Sequence, residues 1–307
     1  MGLSIDTVLA QAGNGSDDDK TGAIVTPLYF STAYRHPSLG ESTGFDYARL
    51  TTPTRAVLEQ QLALLEKGVQ AFATSSGMSA IDLVFETCLK SGDHFLTSDD
   101  LYGGTYRYFD AIVSQSQITY DTFDTVSHLM QKLQSNTRLI WLETPSNPMM
   151  KVIDIVELCR QVRRVSPDIV IAVDNTFLTP IFQQPLALGA DIVVHSATKY
   201  LGGHNDLLAG AVIAGNQLLA KQLTDTLITH GQVLDNFSAW LLIRSLKTLH
   251  LRMARHNENG QYLAKKLLNV AGITSVKYAG VGGMISFYLA KGYDVNRFLT
   301  RLQLASF

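Results

Sequence analysis

From residue 70 to residue 214, short runs of apolar residues alternate with longer stretches in which apolar positions return every three or four residues. The runs fall near 70–74, 94–98, 117–121, 138–142, 169–173, 191–195 and 209–214. Runs that are apolar almost throughout suit strands covered on both faces. Their alternation with helical patterns predicts a mostly parallel seven-stranded sheet with helices on either side, an α/β fold. A helix is predicted over 54–66, begun by Pro53-Thr54 and stopped by Gly68. Residues 1–55 show little periodicity and many turn formers, among them Gly13, Pro27, Pro37, Gly40 and Pro53, and read as an extended arm that needs another surface to lie on. Past the sheet, 236–268 reads as one long or kinked helix. Strands follow at 273–278 and 284–289, separated by Gly280-Val281-Gly282-Gly283, and a helix at 294–304 closes the chain. The expected organisation is an arm over 1–55, a large domain over 56–235 and a small domain over 236–307.

Composition narrows the class without naming it. The 307 residues are 46% hydrophobic and 17% charged, an ordinary globular balance with enough apolar material for a large core. The net charge is −2 and no basic run exceeds two residues, so nothing attracts a nucleic acid or an anionic membrane. Cys88 and Cys159 sit in helical patterns and read as buried small hydrophobes. No metal-ligand spacing, signal segment or membrane-length apolar run occurs, which makes a reduced cytoplasm the expected location.

The chemistry lies where strands end. Ile192-Val193-Val194 runs into His195-Ser196-Ala197-Thr198-Lys199, placing a lysine beside two hydroxyls at the carboxyl end of a buried strand. A lysine there can be desolvated and become a nucleophile toward an aldehyde; taken alone, the segment reads more readily as a solvated loop. Upstream, the run 169–173 delivers Asp174-Asn175-Thr176, the run 138–142 delivers Glu143-Thr144-Pro145-Ser146-Asn147-Pro148, and the run 70–74 delivers Ser75-Ser76-Gly77-Met78 before a helical pattern. A lysine, an aspartate and a glycine-containing strand-to-helix turn are the parts needed to hold pyridoxal 5'-phosphate. The lysine bonds the aldehyde, the acid keeps the pyridine nitrogen protonated, and the helix start offers amides to the phosphate.

The segments SATKYLGGHNDLLAG, AVDNT, ETPSNP, SSGMSA, DLYGGTYR and DYARLTTPTR together resemble the transsulfuration family of pyridoxal-phosphate enzymes. The likeness runs from about Leu9 to the last residue. It implies an aspartate aminotransferase-like, type I architecture and assigns roles to individual positions. Lys199 would form the Schiff base and move protons. Asp174 would face the pyridine nitrogen, and Tyr102 would stack on the ring and assist catalysis. Gly77, Met78, Ser196 and Thr198 would hold the phosphate, Asn147 the ring hydroxyl, and Thr176 would support them. Tyr47 and Arg49 would reach from the arm into a neighbouring subunit's phosphate site, which implies a homotetramer of dimers with shared active sites. Asp46 would meet the ammonium of an amino-acid substrate. His204 is the histidine expected nearest the ligand.

The synthase and sulfhydrylase branch is the nearer likeness, through TGAIVTPLYFSTAYRHPSLGESTGFDYAR and YLGGHNDLLAG. The expected reaction is γ-replacement on an O-acylhomoserine by cysteine or sulfide. A cystathionine lyase is the alternative, and an inactive cofactor-binding fragment a further one. The sequence departs from the family in two places. Thr52 stands where Asn commonly precedes Pro-Thr. Relatives also continue past the segment matching 302–307 with a Ser-Leu-Gly motif and a carboxylate-clamping arginine, neither present here; the small domain is therefore expected to be incomplete.

Overall fold

A computed structural model describes residues 3–14 and 21–305; positions 1–2 and 15–20 of the expected arm, and 306–307, lie outside the described residues. Strands β1 (Gln70–Thr74), β2 (His94–Ser98), β3 (Thr119–Phe123), β4 (Thr137–Glu143), β5 (Val170–Asp174), β6 (Ile192–His195) and β7 (Gly210–Ala214) form one sheet in the order β1-β7-β6-β5-β4-β2-β3. Pairing is parallel except that β7 runs antiparallel to both β1 and β6. β1 therefore points the same way as β2 to β6, and the carboxyl ends of all these strands meet along one edge. In chain order the helices are α1 (Ile5–Ala10), α2 (Pro53–Glu66), α3 (Gly77–Cys88), α4 (Gly103–Ser116), α5 (Val126–Lys132), α6 (Ile155–Val165), α7 (Thr179–Phe182), α8 (Gln217–His230), α9 (Asn236–Leu246), α10 (Leu249–Leu267) and α11 (Val295–Leu299). β8 (Ile273–Lys277) and β9 (Ser286–Leu289) make a separate antiparallel pair.

Successive side chains on a strand point to opposite faces, and the core divides accordingly. Phe95, Leu139, Trp141, Ala172, Ile192 and Val194 pack under α3, α4 and α8. Their alternates serve the other face. Leu96, Ile140, Leu142, Ile171 and Val173 meet α5 and α6, and Val193, Ala211 and Ile213 meet α2 and α9. Each β strand of the sheet centre is thus apolar on both sides, as its sequence predicts. Both cysteines are free, and burial pushes the Cys159 thiol up to about 11. Among the described residues no helix is long and apolar enough to cross a membrane.

Four expectations change. The arm is not wholly extended: α1 is a helix, capped by Ser4, and Leu9 and Ala12 are fully packed in the core with α2 and α9. β3 begins two residues later than expected because Gln117 caps α4 in the left-handed region, at φ 55°. The stretch 236–268 is two helices that break at Lys247-Thr248. At this break Arg252 bonds the Ser245 carbonyl at 3.0 Å and the Thr248 hydroxyl at 3.1 Å, while reaching Tyr200 O at 2.6 Å. The final helix spans only Val295–Leu299; it buries no residue, and a short helix without tertiary packing does not propagate.

Phe85 sits at the centre of an aromatic cluster in the core. Its ring lies 4.7 Å from Phe109, 5.1 Å from Phe95 and 5.5 Å from Trp141, centroid to centroid. Phe85→Ala is expected to lower the unfolding free energy by about 3–5 kcal/mol, read from the urea midpoint at unchanged m-value.

Candidate active site

The carboxyl edge of the sheet opens into a cavity of about 180 Å³ lined by residues from five strand ends, with Gly77, Met78, Tyr102, Glu143, Asn147, Asp174, Thr176, Ser196, Thr198 and Lys199 among them. Ile81, Pro145, Phe177 and Leu208 supply apolar walls. Strand register explains the acidic end. Glu143 closes β4 and Asp174 closes β5, and the two are directly paired across the ladder. Burial raises the pKa of Asp174, opposed by hydrogen bonds from Thr176. Glu143 is pushed up to about 8, first by burial and then by the charge of Asp174. Two adjacent carboxyls at the edge of a low-dielectric core repel each other and favour a cationic partner.

Thr176 ties this acid to the lysine loop. Its amide donates to Asp174 Oδ1 at 2.9 Å, and its hydroxyl accepts the Ser196 amide at 2.8 Å. The loop then folds back on β7: Lys199 N donates to Ser196 O, and Gly202 N to Ala197 O. The Thr198 hydroxyl donates to Ala209 O and accepts Ala209 N, both at 3.1 Å, so its one proton already serves the loop. Among the described residues no protein group bonds the Ser196 hydroxyl, which faces the start of α3. A Cβ on residue 77 would lie 2.7 Å from Ser196 Cβ, so only glycine lets that helix start approach the lysine loop so closely. Ser76 caps α3 through Ser79 N at 3.0 Å. The amides of Gly77 and Met78, first in the helix, have no carbonyl of their own turn to bond.

Tyr102, 47% exposed, stands at the N-terminus of α4 beside the cavity. A Cβ on residue 104 would sit 2.4 Å from its ring, so Gly104 gives the ring room to lie back over the helix start. Beneath the edge, His195 Nε2 is 2.7 Å from Glu66 Oε1, and Asn175 donates to the same oxygen at 2.8 Å. This buried link from α2 to the ends of β5 and β6 holds the strands that carry Asp174 and Lys199.

Four of the named residues do not line this chain's own cavity, among them Tyr47 and Arg49, which are expected to act in a neighbouring subunit. Arg49 sits 5.7 Å from the centre of the Tyr47 ring and donates to Ile228 O at the end of α8. Asp46 accepts from Ser42 and faces His36 at 3.4 Å. His204 bonds Gly202 O at 2.7 Å and is not among the cavity residues. Tyr47 and Arg49 are exposed and Asp46 is half-buried, on an arm segment most of whose residues from 30 to 50 are exposed. Glu143 and Glu66 were not singled out as site residues. Glu143 lies within a motif that sequence reading does mark, but its importance comes from the strand beside it.

Comparison with known proteins puts the whole chain among pyridoxal 5'-phosphate-dependent enzymes. It belongs to the Cys/Met metabolism PLP-dependent enzyme family, whose model matches residues 6–307. A cystathionine gamma-synthase/O-acetylhomoserine (thiol)-lyase of Bacillus subtilis is 47% identical over 100% of this chain and 82% of its own length. A cystathionine gamma-synthase of Haemophilus influenzae is 45% identical over 99% of this chain and 82% of its own. The crystal structure of a cystathionine gamma-lyase from Lactobacillus plantarum complexed with L-serine superposes with a TM-score of 0.94 at 33% identity, covering 98% of this chain and 83% of that one. The cavity fits the family's cofactor on its own chemistry. A buried acid pair suits a protonated pyridine, the amides at the start of α3 and the Ser196 hydroxyl suit a phosphate, and Lys199 lines the same cavity.

Two predictions follow from this geometry. Gly77→Ala should force α3 and the lysine loop apart at an overpacking cost of about 1–3 kcal/mol, weakening cofactor uptake roughly tenfold to a hundredfold in absorbance titrations of the apoprotein. The second concerns pH. A carboxyl whose folded pKa lies above its unfolded one binds more protons folded than unfolded, so its contribution to stability is present at low pH and lost as pH rises. For Glu143 that window runs from the ordinary 4.5 to about 8. The urea midpoint of the apoprotein should therefore fall more steeply across this window than that of Glu143→Gln; parallel profiles would exclude the raised pKa.

Proposed function

We propose that this chain catalyses γ-replacement on an O-acylhomoserine: the Cγ–O bond breaks, a carboxylate leaves, and the thiol of cysteine loses its proton and bonds Cγ, giving cystathionine. Sulfide in place of cysteine gives homocysteine. The observation that carries the reading is the convergence of Lys199, Asp174 and Tyr102 on one cavity in a chain 47% identical to a synthase of this kind.

When bound, pyridoxal 5'-phosphate supplies an electron-poor ring that acidifies the substrate's Cα–H. Asp174 holds the proton on the pyridine nitrogen, with Glu143 beside it. The amides of Gly77 and Met78 and the Ser196 hydroxyl take the phosphate, with Thr198 shaping the loop beneath. Asn147 meets the ring hydroxyl, and Thr176 fixes the bearing of Asp174. The Lys199 amine, carried at the loop mouth, removes the proton at Cα and moves protons at Cβ. Tyr102 covers the ring face and excludes water from it. Tyr47 and Arg49 complete the phosphate site of a second copy, Arg49 through a bidentate contact, and Asp46 there receives the ammonium of the incoming cysteine. The working enzyme is then a homotetramer of dimers acting in the cytoplasm on small amino acids.

Incubation with O-acetylhomoserine and cysteine should yield cystathionine and acetate. Keto acid from cystathionine alone, with no replacement product, would instead identify a lyase. Lys199→Ala should abolish the visible band of the bound cofactor and lower turnover by at least about 10²–10⁴-fold; a band that persists would overturn the role of the lysine.

A further inference from the structure

Tyr102 poses a problem that its own helix does not solve. It occupies the cap position of α4, yet no side chain of the helix caps the N-terminus, and with its ring half exposed, core packing does not hold it. The solution comes from the neighbouring strand. Glu143, 5% exposed at the end of β4, accepts the Tyr102 amide on Oε2 at 2.8 Å and the Thr105 hydroxyl on Oε1 at 2.9 Å. Thr105 is the third residue of the helix, the place from which a glutamate in a local capping box reaches back to the cap amide. Here a threonine stands there and hands the task to a carboxylate from another element.

We infer that Glu143 is a positioning residue for Tyr102: by capping α4 from strand β4, beside Asp174, it sets where the Tyr102 ring stands over the cavity. The register that pairs Glu143 with Asp174 then ties two features of the site to one rung of the ladder, the acid at one end of the cofactor pocket and the ring over its face. Gly104 completes the arrangement, because a side chain there would push the ring off the helix start.

The inference rests on reading the cavity as a pyridoxal-phosphate site, and the two are separable by experiment. If the wild-type protein shows no visible cofactor band, that reading fails. Given the band, visible-region circular dichroism of the holoenzyme, which responds to the ring over the cofactor, is measured with kcat and KM for Glu143→Ala, Glu143→Gln and Tyr102→Ala. Glu143→Ala should keep bound cofactor, lose the dichroic band, and lower kcat on the order of 10²-fold with KM changed far less, as misplacement of a positioned group does. Glu143→Gln, whose amide oxygen still accepts the Tyr102 N–H, should recover most of the dichroism. In the Tyr102→Ala background the further substitution Glu143→Ala should cost almost nothing, since residues acting as one unit are not additive. Unchanged dichroism in Glu143→Ala, or full additivity of the two losses, overturns the inference. Should Glu143→Ala not fold, Thr105→Val removes one of the two anchors and decides the question: a several-fold loss of kcat with weakened dichroism supports it, and wild-type behaviour refutes it.

Discussion

The register of three parallel strands is the constraint on which the site depends. Glu143 pairs with Asp174, and Asp174 pairs with Val194, one residue before the strand gives way to the lysine loop. Because neighbouring strands lie about 4.8 Å apart, this alignment brings two carboxyls together at the sheet edge and sets the loop of Lys199 next to them. A slip of one residue would turn Asp174 into the core and expose Val173. The alternation of Ile171, Ala172 and Val173 between two fully buried faces forbids that slip. Core packing thus positions polar groups that it does not itself contact.

The edge carries an electrostatic cost that ordinary packing avoids. Like charges on adjacent strands, both drawn from water, destabilise the sheet unless a cation or a proton joins them. The site answers in part with donors: Thr176 to Asp174, and Tyr102 and Thr105 to Glu143. The same bonds anchor the lysine loop and the start of α4, so groups that satisfy the acids also orient the walls of the cavity. Beneath, the Glu66–His195–Asn175 link joins α2 to the same two strand ends and stiffens them from the opposite face.

Much of the fold was legible in the sequence, because a doubly covered strand must be apolar on successive residues and must end where polar residues begin. The central strands β4, β5 and β6 meet that condition, whereas the edge strand β3, Thr119–Phe123, is polar and only partly buried; the residues that end the central strands include Asp174 and, a few positions past β6, Lys199. The break between α9 and α10 was legible only as a kink, without its position: apolar spacing continues through Lys247 and Thr248, and at the turn Arg252 bonds the Ser245 carbonyl before it and the Tyr200 carbonyl of the distant lysine loop. The shift of β3 depended on a single left-handed residue, Gln117, of a type that does not announce that conformation. Glu143 stood out as one of the polar residues delivered at a strand end, but its partners Tyr102 and Thr105 lie on another element, which no local pattern reveals.

The chain alone determined which residues are strand, which are helix, and which polar groups emerge at strand ends, because these follow from periodicity over a few neighbouring positions. Only the tertiary structure decided that β4, β5 and β6 lie side by side, that the carboxyl of β4 serves a helix about forty residues away, and that the start of the arm packs as a helix into the core. Lateral order and register are settled by packing between segments distant in the chain, and no local pattern of apolar and polar residues carries that information.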